Sequence, residues 1–330
     1  MTRRKFIYAL GGASLLRQRA FAAEQHIRHI AWLSGLDADD PQIVANRKAL
    51  VKGLRDRGLS EGQDYAIEFH SALGNTPDYA TLAARIIATK PDLVLTSGDA
   101  ALPAVLSATK SIPVVFVQVN DPVSLGFVPG LARPNGNATG FTQFPPSIGG
   151  KWLQLLKDVA PKLRRVGIWS FDSPAARSNL RLLLPPIRQA AASLGIDAEL
   201  LDVQNVGEIS QAIARFSGSG NGGLLFPPEI VSLVHRQQIA RDVAAHGLPA
   251  IYPYQLFVES GGLMSYSSDP ADAFYKTGDY VYRILNGAKP GDLPVQEPTR
   301  FQLVVNTKAA KAIDLTIPNE LLTTADEVIE

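Results

Sequence analysis

Small polar and acidic residues recur in this sequence directly behind short apolar runs. Ser34-Gly35 closes HIAWLS, Ser97-Gly98-Asp99-Ala100 follows DLVLT, and Asn120-Asp121-Pro122 follows PVVFVQV. Further on, Ser170-Phe171-Asp172 ends RVGIWS, Pro228-Glu229 follows the run 223–226, Pro253-Tyr254 follows PAIY, and Ser265-Tyr266 closes GLMSY. The chemistry available to this set is recognition. Ser34 and Ser97 precede helix starts, where free backbone N–H groups and the positive dipole end welcome an anion. Asp99, Asp121, Asp172 and Glu229 suit a cationic group, while Phe141, Tyr254 and Tyr266 flank an apolar or ring-shaped one. Together they suit an amino acid or a related zwitterion. Each also has a purely structural use: the serines as caps, Asp121 as a turn former before proline, Asp172 and Glu229 as acids in a first helical turn, Tyr266 as core.

Signs of catalysis are scarce. The sequence holds no G-x-S-x-G elbow, no Walker loop and no H-E-x-x-H helix, so no catalytic residue is assigned and no cofactor is expected. The five histidines offer no local metal spacing beyond His26-x-x-His29, which reads as a solvated pair, so no metal ligand is assigned. Gly218–Gly223 (GSGNGG) matches G-x-G-x-x-G in letters, but it precedes a strand pattern where a dinucleotide loop must follow one and open a helix. It reads as a flexible loop.

The elements that must position the strand-end residues follow from periodicity. Residues 29–34 read as a buried strand, 42–57 as a helix stopped by Gly58, and 65–69 as an alternating strand. A helix from Thr76, the strand 92–96, a helix over 100–109 and the strand 113–119 complete a β-α-β-α-β-α-β run. Its strands are apolar on both faces, as in a parallel sheet covered by helices. The pattern then restarts. A helix over 151–159 precedes strands at 165–170, 198–203, 223–226 and 249–252, separated by helices at 174–193, 206–216 and 231–246. The tail supplies a strand at 262–266, a helix at 271–286, a strand at 301–306 and a helix from Thr307. The fold class is α/β with two lobes, the second beginning after about residue 142. In such sheets ligands bind outside the carboxyl ends of the strands, which is where the polar set falls.

The N-terminus reads as an address. Arg3, Arg4 and Lys5 precede an uncharged run of 11 residues, Phe6–Leu16, followed by Ala20-Phe21-Ala22-Ala23. The run is too short to span a bilayer and has the size of a signal-peptide apolar region. Residues 1–23 are expected to be an export signal, cleaved near Ala22 or Ala23. The pattern Thr2-Arg3-Arg4-Lys5-Phe6-Ile7 resembles a twin-arginine signal, with general secretion as the other route. The segment carries five basic residues and no acid, so the net charge of +1 becomes −4 without it. A mildly acidic body argues against nucleic acid as a partner. The absence of Cys excludes a lipid anchor of the bacterial lipoprotein kind, and a chain of this size needs no disulfides.

Longer motifs then carry a family resemblance. Ser107–Phe116 (SATKSIPVVF), Asn120-Asp121-Pro122-Val123 and Leu131–Thr142 (LARPNGNATGFT) resemble the ABC-transporter substrate-binding proteins that include tryptophan- and other aromatic amino acid-binding members. Glu259–Tyr266 (ESGGLMSY), Ile284–Val295 (ILNGAKPGDLPV) and Leu315-Thr316-Ile317-Pro318 agree, and the resemblance runs from about His26 to Glu330. It implies a periplasmic-binding-protein fold of type I-like form: two Rossmann-like lobes with parallel sheets, joined by three crossover segments. Lobe one would hold 27–140 and 268–298, lobe two 141–267 and 299–330. Ser34, Ser97, Gly98, Asp99 and Asp121 would line the first wall of the cleft. Thr139, Gly140 and Thr142 would sit in the crossover, and Ser170, Asp172, Pro228 and Glu229 would face from the second lobe.

The function implied is capture of a small molecule, an amino acid or related carboxylate with aromatic ones among them, by hinge closure. It would be delivered to an ABC permease in the inner membrane, from the periplasm, with no bond made or broken. The alternative is a sensory module that presents its ligand-closed form to a membrane receptor.

Overall fold

The computed structural model describes residues 27–74 and 76–330; the expected export signal lies outside the described residues, as does His26. The first half alternates strand and helix. β1 (Arg28–Ser34), α1 (Pro41–Arg55), β2 (Tyr65–Ser71), α2 (Thr76–Ala88), β3 (Leu93–Ser97), α3 (Ala101–Ala108), β4 (Val114–Val119) and β5 (Ala138–Thr142) follow in that order. The five strands form a parallel sheet in the order β2-β1-β3-β4-β5. The three central strands β1, β3 and β4 are almost wholly buried, as their uninterrupted apolar runs require. β5 is one strand more than the sequence pattern suggests. The family resemblance places its residues in a crossover, whereas they pair with β4 as an edge strand.

The second half repeats the scheme with α4 (Ile148–Val159), β6 (Arg165–Phe171), α5 (Pro174–Leu194), β7 (Asp197–Val203) and α6 (Ile209–Ser217). It continues with β8 (Gly222–Leu225), α7 (Ile230–Val234), α8 (Arg236–Ala245), β9 (Ala250–Tyr252), α9 (Gln255–Glu259) and β10 (Met264–Ser268). The single helix expected over 231–246 is therefore two, broken at His235, which ends α7 and starts α8. The chain then returns to the first lobe with α10 (Pro270–Leu285), and re-enters the second with β11 (Phe301–Asn306), α11 (Thr307–Ala312), α12 (Asn319–Thr324) and β12 (Glu327–Ile329). The second sheet runs β12-β11-β10-β9-β8-β6-β7. It is not parallel throughout: β11 comes back from the other lobe and pairs antiparallel with β10.

α10 is held in the first lobe by a close helix crossing. A Cβ on Gly53 of α1 would lie 2.2 Å from the Tyr275 carbonyl oxygen, and one on Gly278 would lie 2.6 Å from the backbone of Gly53. Only glycine on both helices permits that approach. Asp269 caps α10 by accepting from Ala271 N, and Pro270 stands at its first position, so the helix starts where the crossover ends. The chain passes between sheets three times, near residues 142–143, 268–269 and 296–300. These passages are tied together: Thr142 N donates to the Gln296 carbonyl at 2.8 Å, and Ser268 Oγ to the Gln143 carbonyl at 3.3 Å.

Candidate interlobe binding site

A cavity of about 60 Å³ lies between the lobes, outside the carboxyl ends of both sheets. The first lobe supplies its wall from strand ends. β1 delivers Ser34, Gly35 and Leu36, with Ser34 Oγ accepting from Leu36 N at 3.3 Å. β3 delivers Ser97, Gly98, Asp99 and Ala100. Ser97 Oγ accepts from Trp32 Nε1 at 2.6 Å, and Gly98, at φ +82°, makes the left-handed turn that aims Asp99 inward. Gln118 arrives by a different device. The register of β4 against β5 slips between Val117 and Val119, and Gln118 takes φ +60°. Such a bulge re-aims one side chain of a strand. Gln42 and Ile43 of α1 and Tyr79 of α2 close this side.

The second lobe supplies helix starts. Ala175 and Asn179 come from the first turns of α5, Pro228 and Glu229 from the loop before α7, and Ile230 and Leu233 from α7 itself. Tyr254 comes from the residue before α9. Glu229 is the cap of α7: Oε1 accepts from Val231 N at 2.9 Å, and Oε2 from Ser232 N at 2.7 Å and Ser232 Oγ at 3.0 Å.

The walls meet in one polar node. Asp99 Oδ1 accepts from Asn120 N at 2.8 Å, and Oδ2 from Asn120 Nδ2 at 2.6 Å and from Asn179 Nδ2 at 2.9 Å. Asn179 Nδ2 also donates to the Pro228 carbonyl at 3.0 Å, and its Oδ1 accepts from Asn120 Nδ2 at 3.2 Å. A buried asparagine of the second lobe thus bridges an acid of the first lobe and the loop that carries Glu229. At the rim, Arg236 Nη2 of α8 pairs with Asp40 Oδ2, just before α1, at 2.8 Å. Gly35 lies flush with the second lobe: a Cβ there would stand 2.5 Å from Ile230 Cγ1 and 2.3 Å from the Tyr79 hydroxyl.

Burial sets the electrostatics. It pushes the Asp99 carboxyl up to about 6, against the pull of its three amide donors. It also pushes Glu229 up, against the donors of its own cap, and raises Tyr79 and Tyr254 far above the usual phenol range. Among the described residues, the lining holds two carboxyl groups and no Lys, Arg or His.

Seven of the residues expected from the sequence line this cavity: Ser34, Ser97, Gly98, Asp99, Pro228, Glu229 and Tyr254. Seven are placed elsewhere, for local reasons. Asp121 binds its own turn, accepting from Ser124 N at 3.0 Å and Ser124 Oγ at 2.6 Å. Thr139 is buried in β5 and donates to the Leu293 carbonyl at 2.7 Å. Gly140 sits where a Cβ would meet the Phe116 carbonyl of β4 at 1.9 Å. Thr142 lies against the crossover at Gln296. Ser170 is buried near the end of β6, Asp172 is exposed and paired with Arg177, and Tyr266 stacks on Phe301 with ring centroids 5.5 Å apart. Phe141 packs on Tyr280, 4.9 Å between centroids.

Gln118, Asn179, Tyr79 and the aliphatic residues were not anticipated, although two of them carried a signal. Gln118 is the lone polar residue of PVVFVQV. Asn179 falls on the buried stripe of α5 with Ala176, Leu183 and Ile187, where an amide needs a partner. The glycine-rich stretch 218–223 runs from the end of α6 into β8 with left-handed Gly220 and Asn221, a turn and not a phosphate loop. His29 Nε2 lies 2.8 Å from Glu68 Oε2, and among the described residues no group of His, Asp and Glu could hold a metal ion.

The sequence profile of a family described as "ABC transporter substrate binding protein" matches residues 38–329. The chain belongs to that family. Its members are substrate-binding proteins of ABC transporters. A tyrosine-binding protein of Clostridioides difficile (strain R20291) is 27% identical over 278 residues, covering 84% of this chain and 79% of that one. Among solved structures, the ABC domain of a Streptococcus pneumoniae protein in complex with L-Trp is 25% identical, with a TM-score of 0.83, covering 92% of this chain and 100% of that one. A ligand-free, open structure of a substrate-binding protein with adhesive properties from Clostridium difficile is 24% identical, with a TM-score of 0.65, covering 92% and 99%. The expected α/β architecture of two lobes, periplasmic-binding-protein type I-like, is the observed one.

Proposed function

We propose that the protein is the solute-capture component of an ABC import system, and that its lobes close on a small ligand in the interlobe cavity. One observation carries the reading. Asn179 of the second lobe hydrogen-bonds Asp99 of the first inside a cavity lined by both, an arrangement that exists only while the lobes are together. The three neighbouring crossovers supply the hinge. The closer likeness in overall shape to the L-Trp complex than to the ligand-free, open structure supports the same view. Kinship favours an amino-acid-sized ligand with an amino group and a ring or aliphatic body. Ligand would shift the population toward the closed form through its higher affinity for it, and the closed form would dock on an inner-membrane permease. The export signal at 1–23 supports a periplasmic location; among the described residues no helix is long and apolar enough to cross a membrane.

The test is a thermal-shift screen over a broad panel of amino acids, amines and carboxylates, followed by small-angle scattering with each hit. A ligand that raises the melting temperature and compacts the protein is the expected result. A panel with no shift, or a shift without compaction, counts against capture by closure.

A further inference from the structure

We infer that the ligand of this cavity is an amine with net positive charge, its cationic group seated against Asp99, in preference to a zwitterionic amino acid or a carboxylate. The inference rests on the reading that the cavity is the ligand site, and it narrows the class of ligand.

Charge is the first argument. Among the described residues, the lining carries the carboxyls of Asp99 and Glu229 and no basic side chain. The cation at the rim, Arg236, is committed to Asp40 and to the Leu233 carbonyl. A ligand carboxylate would enter an enclosed space that already holds two acids, where like charges are poorly screened. A ligand cation would find both acids favourable.

Geometry distinguishes the two acids. Both oxygens of Glu229 are turned onto the N–H groups and hydroxyl that start α7. Asp99 takes as many donors, three, but they come from Asn120 and from Asn179 of the other lobe, and none of them ties it to a helix start. Its Oδ2 takes two amide donors, but its Oδ1 takes Asn120 N alone. A carboxylate oxygen has two lone-pair sites, so Oδ1 keeps one for a ligand N–H. The place where a ligand carboxylate would otherwise dock is the positive end of α3. Asp99 stands directly before Ala100, the cap residue of that helix, and places its carboxyl there. Beyond the acid, Tyr79, Tyr254, Ile43 and Leu233 provide the surface for an apolar body, and the tyrosine rings suit a cation.

The experiment compares matched series that differ only in charge, by calorimetry on the full protein. Tyramine, L-tyrosine and 3-(4-hydroxyphenyl)propionate form one series; tryptamine, L-tryptophan and indole-3-propionate another; 1,4-diaminobutane, ornithine and butanoate a third. In at least one series the amine should bind about tenfold or more tighter than the zwitterion, with the acid weakest. Asp99→Asn should weaken the amine about tenfold and bring amine and zwitterion within about threefold. Zwitterions or acids binding as tightly as amines would overturn the inference and leave solute capture standing. No binding in any series would overturn the inference, and with a broad screen that is also silent would remove solute capture. An amine preference that survives in Asp99→Asn removes Asp99 as its cause. The wild-type comparison stands whether or not the variant folds.

Discussion

The two walls of the cavity occupy equivalent places in two similar half-folds, yet they are built differently. The first wall is made of strand ends, where serines, a glycine turn and a bulged glutamine are fixed by the sheet behind them. The second is made of helix starts, where the side chains are fixed by caps. Each wall carries one acid, Glu229 buried and Asp99 partly so, and the acids differ in what holds them. Glu229 is satisfied within its own helix, so it is indifferent to where the other lobe stands. Asp99 shares a donor from the opposite lobe, so its surroundings change when the lobes part. Under the proposed closure, one acid is architecture and the other would sense it.

The sharpest way to break that distinction is at Asn179. Asn179→Ala removes the donor to Asp99 and to the Pro228 carbonyl and the acceptor for Asn120. Leaving such groups unpaired costs about 2–3 kcal/mol in the closed form, or roughly 30- to 150-fold in ligand affinity. Ser232→Ala, which removes one of three donors from Glu229, should cost less than about threefold. Equal losses in the two variants by calorimetry would erase the difference between the walls.

Gly35→Ala sharpens the comparison from the other side. The added methyl overlaps Ile230 of the second wall and the Tyr79 hydroxyl of the first. Separation of the lobes relieves only the first overlap, while the tyrosine can shift its far end. Overpacking of this kind costs about 1–2 kcal/mol, so affinity should fall roughly tenfold. The melting temperature of the unliganded protein should change little where the lobes open freely. A variant that binds as wild type shows that the walls do not close as tightly as Gly35 and Ile230 indicate.

The same contrast explains what was legible in the sequence. Apolar runs identify buried strands, and the strand-end rule then finds Ser34, Ser97, Gly98 and Asp99 without knowledge of the partner lobe. Helix-borne contacts obey no such rule. Asn179 sits in the second turn of α5, and its role depends on a residue 80 positions away. Asp121, Ser170 and Asp172 satisfied the strand-end rule and still point elsewhere, because a turn, a buried backbone neighbour and Arg177 claim them first. Gly140 and Thr142, expected in a crossover, belong to a fifth strand. A short edge strand of small residues has too little apolar pattern to announce itself. β11 has the apolar pattern of a strand, but its reversed direction follows only from the third passage between lobes.

The smallest effect expected is the share of the pH dependence of stability that Asp99 contributes. In the folded protein burial raises the Asp99 carboxyl from 3.8 to about 6. Between those values the folded protein retains a proton that the unfolded chain has released. Protein with its lobes together, as in this structure, therefore gains stability from this group on acidification from pH 7 to 5, and loses it as pH rises through about 6. Glu229 is pushed in the same direction but is present in both wild type and Asp99→Asn, so their difference isolates Asp99. Asn120 and Asn179, which face Asp99, do not titrate, and the phenol of Tyr254 titrates far above this range. The melting temperature of wild type relative to Asp99→Asn should rise by about 2–5 °C between pH 7 and pH 5. Amine affinity should move the opposite way, falling below pH 6 as the acid loses its charge. A difference that is flat with pH would mean that Asp99 stays ionised in the closed cavity, held there by its three amide donors against the cost of burial.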